Sequence, residues 1–108
     1  MDERGRRLAQ NEDRFRNANE RLERVVAEGG TANGGRVEFL CECADRDCTA
    51  SISLTLTEYR RVRSDSTWFA VRPGHQRGEV EDVVGRGDEY LIVAKRGEAG
   101  REAERLDG

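Results

Sequence analysis

The chain's three cysteines lie in one short stretch, Cys41-Glu42-Cys43-Ala44-Asp45-Arg46-Asp47-Cys48. Its single histidine, His75, ends the turn Arg72-Pro73-Gly74-His75, which also holds the single proline. Three thiols and one imidazole make a complete ligand set for tetrahedral zinc, of the closed type that structural sites use. The polar loop before Cys48 suits a chain reversal, because aspartate favours turn conformations. The sequence therefore predicts one structural zinc ion bound by Cys41, Cys43, Cys48 and His75.

Other interpretations of the cysteines stay open. A disulfide would leave one of the three thiols unpaired, and the sequence shows no secretory signal segment. Inert buried thiols are a further alternative, although the charged neighbours Glu42, Asp45, Arg46 and Asp47 are a poor apolar setting. A zinc-thiolate site can also respond to oxidation, which releases the metal. The acidic majority among the neighbours opposes a reactive thiolate, so a protected site is expected.

The composition indicates one small domain. The length is 108 residues, and charged residues make up 38% of the chain against 35% for hydrophobic ones. A short chain buries a small share of its surface, so a metal ion would add needed stability. The net charge of -3 does not indicate a nucleic-acid binder, and no apolar run approaches the roughly 20 residues of a membrane helix. A cytoplasmic protein with reduced thiols and no membrane association is expected.

Residues 1–28 are predicted to form an N-terminal amphipathic helix, whose periodic part begins at residue 6. Its apolar residues recur at heptad-like spacing and form a stripe. The stripe consists of Leu8, Phe15, Ala18, Leu22 and Val25. A glycine-rich joint is predicted at residues 29–35. The stripe is a candidate surface for a protein partner or a second copy of the chain, although Asn11 at a core position also allows packing on the chain's own domain.

Residues 36–96 are predicted to form a small zinc-binding α+β domain. Alternating apolar and polar residues indicate strands at 36–41 and 50–56, with the cysteine loop at the tip of this antiparallel pair. Thr55 and Glu58 have the spacing of a capping box, which predicts a short helix. That helix should run to about Arg63, and further strands are expected at 68–71, 79–84 and 90–95, the last two joined as a hairpin around residues 85–88.

The predicted fold class is α+β, with the N-terminal helix followed by an antiparallel sheet of four or five strands and one short inserted helix. Residues 97–108 lack an apolar face and are expected to be a mobile acidic tail. The domain organisation is therefore a helix, a joint, a zinc-stapled domain and a tail.

The Cys-x-Cys-x4-Cys and Pro-Gly-His elements, with the residues around them, resemble a group of small uncharacterised proteins of actinobacterial type. The resemblance rests on Phe39–Cys43, Cys48, Leu54–Tyr59, Pro73–His75 and Tyr90–Val93. It covers about residues 10–95, including the helix around Asn11 to Glu23. The resemblance implies a recurrent domain with the cysteines and the histidine as its motif, and it implies no activity.

One local basic cluster is a candidate for nucleic-acid contact. It consists of Arg60, Arg61, Arg63 and Arg72. A solvated helix face balanced by Glu58 and Asp65 is favoured over this role, because nucleic-acid binders show a broader basic surface. No catalytic constellation stands out, since a metal-bound His75 cannot act as a base. The sequence predicts a non-enzymatic zinc module for protein interaction or regulation; a nucleic-acid-associated zinc module and a redox-responsive zinc-thiolate sensor are the alternatives.

Overall fold

The computed structural model describes residues 3–29, 35–43, 45 and 47–107, and within the first helix it describes side chains from Gln10 onward, apart from Asn11. The described residues form a compact α+β fold, which confirms the predicted fold class. The elements in chain order are α1 (Glu3–Glu28), β1 (Arg36–Leu40), β2 (Ser51–Thr55), α2 (Leu56–Val62), β3 (Trp68–Val71), β4 (Glu81–Arg86), β5 (Leu91–Lys95) and α3 (Gly97–Asp107). The glycine-rich joint predicted at residues 29–35 lies mostly outside the described residues.

The strands form two antiparallel sheets, where the sequence predicted a single sheet. In the first sheet β1 pairs with β2, and Phe39 lies opposite Ile52. In the second sheet the strand order is β3-β5-β4, so β5 is central. The chain leaves β1 at the cysteine loop, and there the backbone N–H of Glu42 donates to the carbonyl of Ala70 at the edge of the second sheet (2.8 Å). This contact links the two sheets, although no continuous ladder of hydrogen bonds joins them. The alternation of apolar and polar residues along each strand does not reveal that the strands divide into two sheets.

Helix α2 begins at the predicted capping box. The Thr55 hydroxyl accepts a hydrogen bond from the Glu58 backbone N–H (3.1 Å), and the Glu58 carboxylate accepts one from the Thr55 N–H (2.8 Å). These bonds satisfy donors that the first helical turn would leave unpaired. The buried face of α2 includes Tyr59, whose ring stacks on that of Phe39 at 4.4 Å. Helix α2 therefore closes the core over the β1–β2 sheet.

The predicted hairpin of β4 and β5 is present, but its turn lies two residues later than expected. Strand β4 continues through Arg86, and a register shift between Val83 and Gly85 marks a bulge. The turn closes where the Gly87 N–H donates to the Tyr90 carbonyl (2.9 Å). A Cβ at Gly87 would lie 1.9 Å from the Tyr90 ring, so a side chain at this position would displace that buried ring.

Residues 97–107 form helix α3, which corrects the prediction of a mobile tail. Its buried residues are small, Gly100 and Ala103. A Cβ at Gly100 would lie 2.9 Å from the Lys95 carbonyl oxygen, so the helix packs closely on the end of β5. The guanidinium of Arg16 on α1 also donates to the Ala103 carbonyl (3.2 Å). A search for large apolar residues misses this helix, because small residues and a buried arginine form its contacts.

Helix α1 packs mainly through a polar face, and only part of the predicted apolar stripe contributes. The centre of its buried face carries Glu12, Arg16 and Asn19, which are 2%, 0% and 0% exposed. From the stripe, Leu22 packs against the core, whereas Val25 is 65% exposed. Phe15 and Ala18 are half-buried, and the side chain of Leu8 lies outside the described part of the chain. The use of this stripe by a partner stays a prediction.

Candidate metal centre

The four predicted ligand residues lie on connections that leave the two sheets. Cys41 and Cys43 follow β1, Cys48 precedes β2, and His75 lies between β3 and β4. Their sulfur and ring-nitrogen atoms all lie within 4.8 Å of one another. The structure therefore brings together residues that are up to 34 positions apart in sequence, and the resulting cluster can hold a metal ion.

The distances from the imidazole to two of the sulfurs suit a tetrahedral ion. The Nδ1 atom of His75 lies 3.5 Å from the Cys41 Sγ and 3.6 Å from the Cys48 Sγ. A tetrahedral ion with a metal–sulfur bond of about 2.3 Å and a metal–nitrogen bond of about 2.0 Å would hold these atoms about 3.5 Å apart. Nδ1 is therefore the imidazole nitrogen that faces the thiols, and its distances to the Cys41 and Cys48 sulfurs fit such a centre.

Each sulfur accepts a hydrogen bond from a backbone N–H group. The pairs are Arg72 with Cys41 (3.2 Å), Asp45 with Cys43, and Ala50 with Cys48. In the last two pairs the donor stands two residues after the cysteine. The positive ends of these N–H dipoles favour thiolates over thiols, because they lie against the developing negative charge. The local backbone thus supports the ionised form that a metal requires.

The three thiols differ in acidity. The hydrogen bond with Cys43, aided by the Arg72 N–H, lowers the pKa of Cys41 despite its burial. The same bond to Cys41 raises the pKa of the Cys43 thiol, and burial raises it further. Burial also raises the pKa of Cys48. Cys41 is therefore the most acidic of the three thiols, and binding a metal to all three sulfurs as thiolates releases protons.

The cysteines lie in more apolar surroundings than their charged sequence neighbours suggested. Cys41 and Cys43 are 1% and 4% exposed and share an apolar cluster with Phe69 and Val71. Cys48 is half-buried, as is the histidine of the cluster. None of the three cysteines forms a disulfide. One side of the cluster therefore faces the core and the other lies near the surface.

Glu42, between two of the predicted ligands, is fully buried. Its carboxylate accepts hydrogen bonds from the Tyr59 hydroxyl (2.7 Å), the Asn19 side-chain amide (3.0 Å) and the Ala70 N–H (2.9 Å). The Arg63 guanidinium lies 3.8 Å from the same carboxylate. A carboxylate can remain buried when donors and a cation compensate for lost water. Glu42 thus attaches the cysteine segment to α1, α2 and β3.

Sequence reasoning treated Glu42 as a polar loop neighbour and did not identify Asn19. The Asn19 side chain bonds both backbone groups of Leu40, accepting from the N–H (2.8 Å) and donating to the carbonyl (2.9 Å). The Asn19 side-chain amide thus makes the two hydrogen bonds to Leu40 that the backbone of a neighbouring strand would make. No local pattern signals this contact, because asparagine and glutamate are ordinary residues on an exposed helix or loop.

A second group of buried charges surrounds Lys95, the only lysine of the chain. The lysine ammonium pairs with the carboxylates of Glu12 on α1 and Glu81 on β4. Burial raises the pKa of Glu12 to about 7, against the opposing attraction of Lys95. The ammonium and the Arg16 guanidinium lie 5.7 Å and 4.9 Å from the centre of the Phe69 ring. We call Glu12, Glu81 and Lys95 the lysine cluster.

The four arginines of the predicted basic cluster are not gathered on one surface. Arg60 pairs with Glu23 at 2.6 Å. The Arg63 side chain is 13% exposed and donates to the Trp68 carbonyl. These two line a cavity whose other walls include glutamates of α1, whereas Arg72 lines a separate groove on the outer face of the first sheet. Arg61 is exposed. The structure therefore presents no continuous basic patch built from these residues.

Comparison with known proteins adds no functional assignment. No family model, curated protein or solved structure matches the chain. Within the described residues, no helix combines the length and apolar character needed to cross a membrane. The functional conclusion therefore rests on the geometry of the cysteine and histidine cluster.

Proposed function

We propose that this protein is a non-enzymatic zinc-binding module in which one Zn²⁺ joins the two sheets. The proposed ligands are Cys41, Cys43, Cys48 and His75. The observation that carries the proposal is the convergence of these four ligand atoms within 4.8 Å from connections of both sheets. Thiolate sulfur and imidazole nitrogen are the ligands that zinc prefers in structural sites, and four of them complete a tetrahedron.

A structural role for the ion follows from the number of ligands. Catalytic zinc keeps one position for water or substrate, whereas the three sulfurs and the Nδ1 atom would occupy all four. The three N–H groups that face the sulfurs offset the excess negative charge of three thiolates around a divalent ion. Zinc binding would then supply folding free energy, because the unfolded chain has no preformed site.

The biological role that we propose is protein interaction or regulation in the cytoplasm, where thiols stay reduced. Support for an interaction role comes from α1, where Val25 is 65% exposed and Phe15 and Ala18, earlier on the same helix, are only half-buried. The partner would be another protein or a second copy of the chain. Light scattering tests the second possibility: a dimer that dissociates in Val25→Glu supports self-association, and a strict monomer contradicts it.

Zinc binding itself is tested by elemental analysis of protein purified without an affinity tag. The expected result is one zinc ion per chain. Replacement of zinc by Co²⁺ should produce the visible bands of a tetrahedral thiolate centre. A folded protein that contains no metal and whose three thiols react freely with a thiol reagent would contradict the proposal.

A further inference from the structure

Helix α1 is held in place by polar contacts at defined points. Its Asn19 side chain bonds the backbone of Leu40 and the carboxylate of Glu42, immediately beside the first proposed zinc ligand. Glu12 contacts Lys95 on β5, and Arg16 donates to the carbonyl of Ser66 (2.7 Å). Each of these groups needs its partner, because a buried polar group without one is strongly unfavourable.

Apolar burial contributes less to this docking than to an ordinary amphipathic helix. The apolar residues of α1 that pack against the core lie toward its C-terminal end, namely Leu22, Val26 and Ala27. The centre of the buried face is charged or amide, and such groups regain water when the helix separates. Undocking of α1 at its centre therefore exposes buried polar groups beside the half-buried Phe15 and Ala18, and its equilibrium depends on whether the polar partners stay in position.

The partners of Asn19 belong to the proposed zinc loop. Leu40 directly precedes Cys41, and Glu42 lies between Cys41 and Cys43. A metal ion that holds both sulfurs also holds the backbone and carboxylate that Asn19 contacts. Without the ion, the metal–sulfur bonds of Cys41 and Cys43 no longer hold this segment in position. The Asn19 side chain, which is fully buried when α1 is docked, then loses the hydrogen-bond partners that make its burial favourable.

We infer that metal occupancy of the cluster and docking of α1 are coupled, so that loss of the metal releases the N-terminal helix. The inference rests on the proposed zinc site. Because such coupling is reciprocal, a docked α1 must also strengthen zinc binding by the same factor. The module is then a metal-dependent switch whose moving part is α1, with Asn19 and Glu42 as the residues that transmit the state of the site.

Hydrogen exchange of the full chain tests the release directly, with and without zinc removal by a chelator. Amides of α1 from Gln10 to Glu28 should lose protection by tenfold or more when zinc is removed. The central strand β5 is the internal reference, because its protection reports the general loss of stability that zinc removal causes, and α1 should lose at least tenfold more protection than β5 does. Equal protection of α1 in both states overturns the inference, and so does an equal loss in α1 and β5, which would indicate global unfolding.

A pair of variants tests the reciprocal effect. Asn19→Ala should weaken zinc binding roughly tenfold in competition with a chromophoric chelator, as expected for a residue behind a ligand. Asn17→Ala is the matched control, because Asn17 is an exposed asparagine of the same helix, bonded only to Asp13 among the contacts described (3.2 Å). Equal zinc affinities for the two variants overturn the inference but leave the zinc site intact. Absence of zinc from the wild-type protein overturns both.

Discussion

Two regions join the elements of this protein by different chemistry. The cysteine and histidine cluster lies where connections from both sheets meet, and its ligand atoms lie within 4.8 Å of one another. The lysine cluster joins α1 to β4 and β5 through one ammonium and two carboxylates. The first depends on rare residues with fixed bonding geometry, and the second on common residues whose charges matter because they are buried.

The difference predicts how each region fails. A metal contributes binding free energy directly, so removing a ligand removes that contribution. A buried ion pair contributes little relative to a well-packed apolar alternative, but removal of one partner leaves an uncompensated charge. Damage at the first region should therefore be accompanied by metal loss, and damage at the second should depend on charge and pH.

Replacement of a proposed ligand is expected to have the largest effect. Cys48→Ser or His75→Ala should abolish stoichiometric zinc binding and lower the free energy of unfolding by about 5 kcal/mol or more, since structural zinc contributes more than this in small domains. Urea denaturation and zinc content of the purified variants measure both effects. Thr49→Ala, at the exposed residue beside Cys48, is the control and should retain zinc. Full stability of a zinc-free Cys48→Ser variant would contradict the structural role of the metal.

Removal of the buried ammonium should have the next largest effect. Lys95→Met leaves two carboxylates unpaired, and it is expected to lower the free energy of unfolding by about 3 kcal/mol without loss of zinc. The measurement is urea denaturation of the zinc-loaded protein. Arg105→Met is the control, because it breaks the exposed pair of Arg105 with Glu102 and should matter far less. Comparable stability of both variants would show that the lysine cluster is solvated.

Replacement of Glu12 should change how stability depends on pH. Burial raises its pKa from 4.5 to about 7 in the folded protein, so the folded state binds this proton more tightly than the unfolded state does. The resulting stabilisation is fully present below pH 4.5 and is lost as the pH rises to about 7. Glu12→Gln should remove this pH-dependent stabilisation, so the free energy of unfolding of the variant should fall by about 1–3 kcal/mol less than that of the wild type as the pH rises.

The measurement for Glu12→Gln is the difference in unfolding free energy from wild type at several pH values between 5 and 8. Zinc-linked protonation affects both proteins and largely cancels in this difference. A difference that stays constant over the range would mean that Glu12 titrates as an exposed carboxylate.

A smaller effect is expected at the packing of α3 on the lysine cluster. Gly100→Ala places a Cβ 2.9 Å from the Lys95 carbonyl oxygen and should lower the free energy of unfolding by about 1–2 kcal/mol. In an unpacked tail the same change would be neutral or would favour a helix. Glu104→Ala, at an exposed site of α3, is the control. A Gly100→Ala variant that is more stable than the wild type would contradict the close packing of α3 and support the predicted mobile tail.

Mild oxidation is expected to have the smallest effect. Peroxide should leave the zinc bound and the fold intact, because Cys41 and Cys43 are buried and Cys48 is partly covered. Zinc release is followed with a metal-sensitive dye. Rapid release that a thiol reductant reverses would favour the redox-responsive sensor over the structural site.

The sequence allowed good prediction wherever the determining interactions are local. The capping box at Thr55 and Glu58 depends on residues three positions apart, and β3 was predicted at its observed bounds, Trp68–Val71. The grouping of the ligands was also predicted, because three cysteines and one histidine have few other roles as a set. In contrast, the predicted stripe on α1 missed the buried Arg16 and Asn19, since these polar residues become core residues only through distant partners.

By itself, the sequence determined the α+β class, the order of most elements and the set of residues that can hold a metal. Only the tertiary structure decided that the strands form two sheets, that residues 97–107 form a packed helix, and that Glu42 connects the cysteine segment to α1. The physical reason is the separation along the sequence of the residues that interact. Turn, cap and strand preferences arise between near neighbours, whereas the burial of a charge is favourable only when residues far apart in the chain supply its partners.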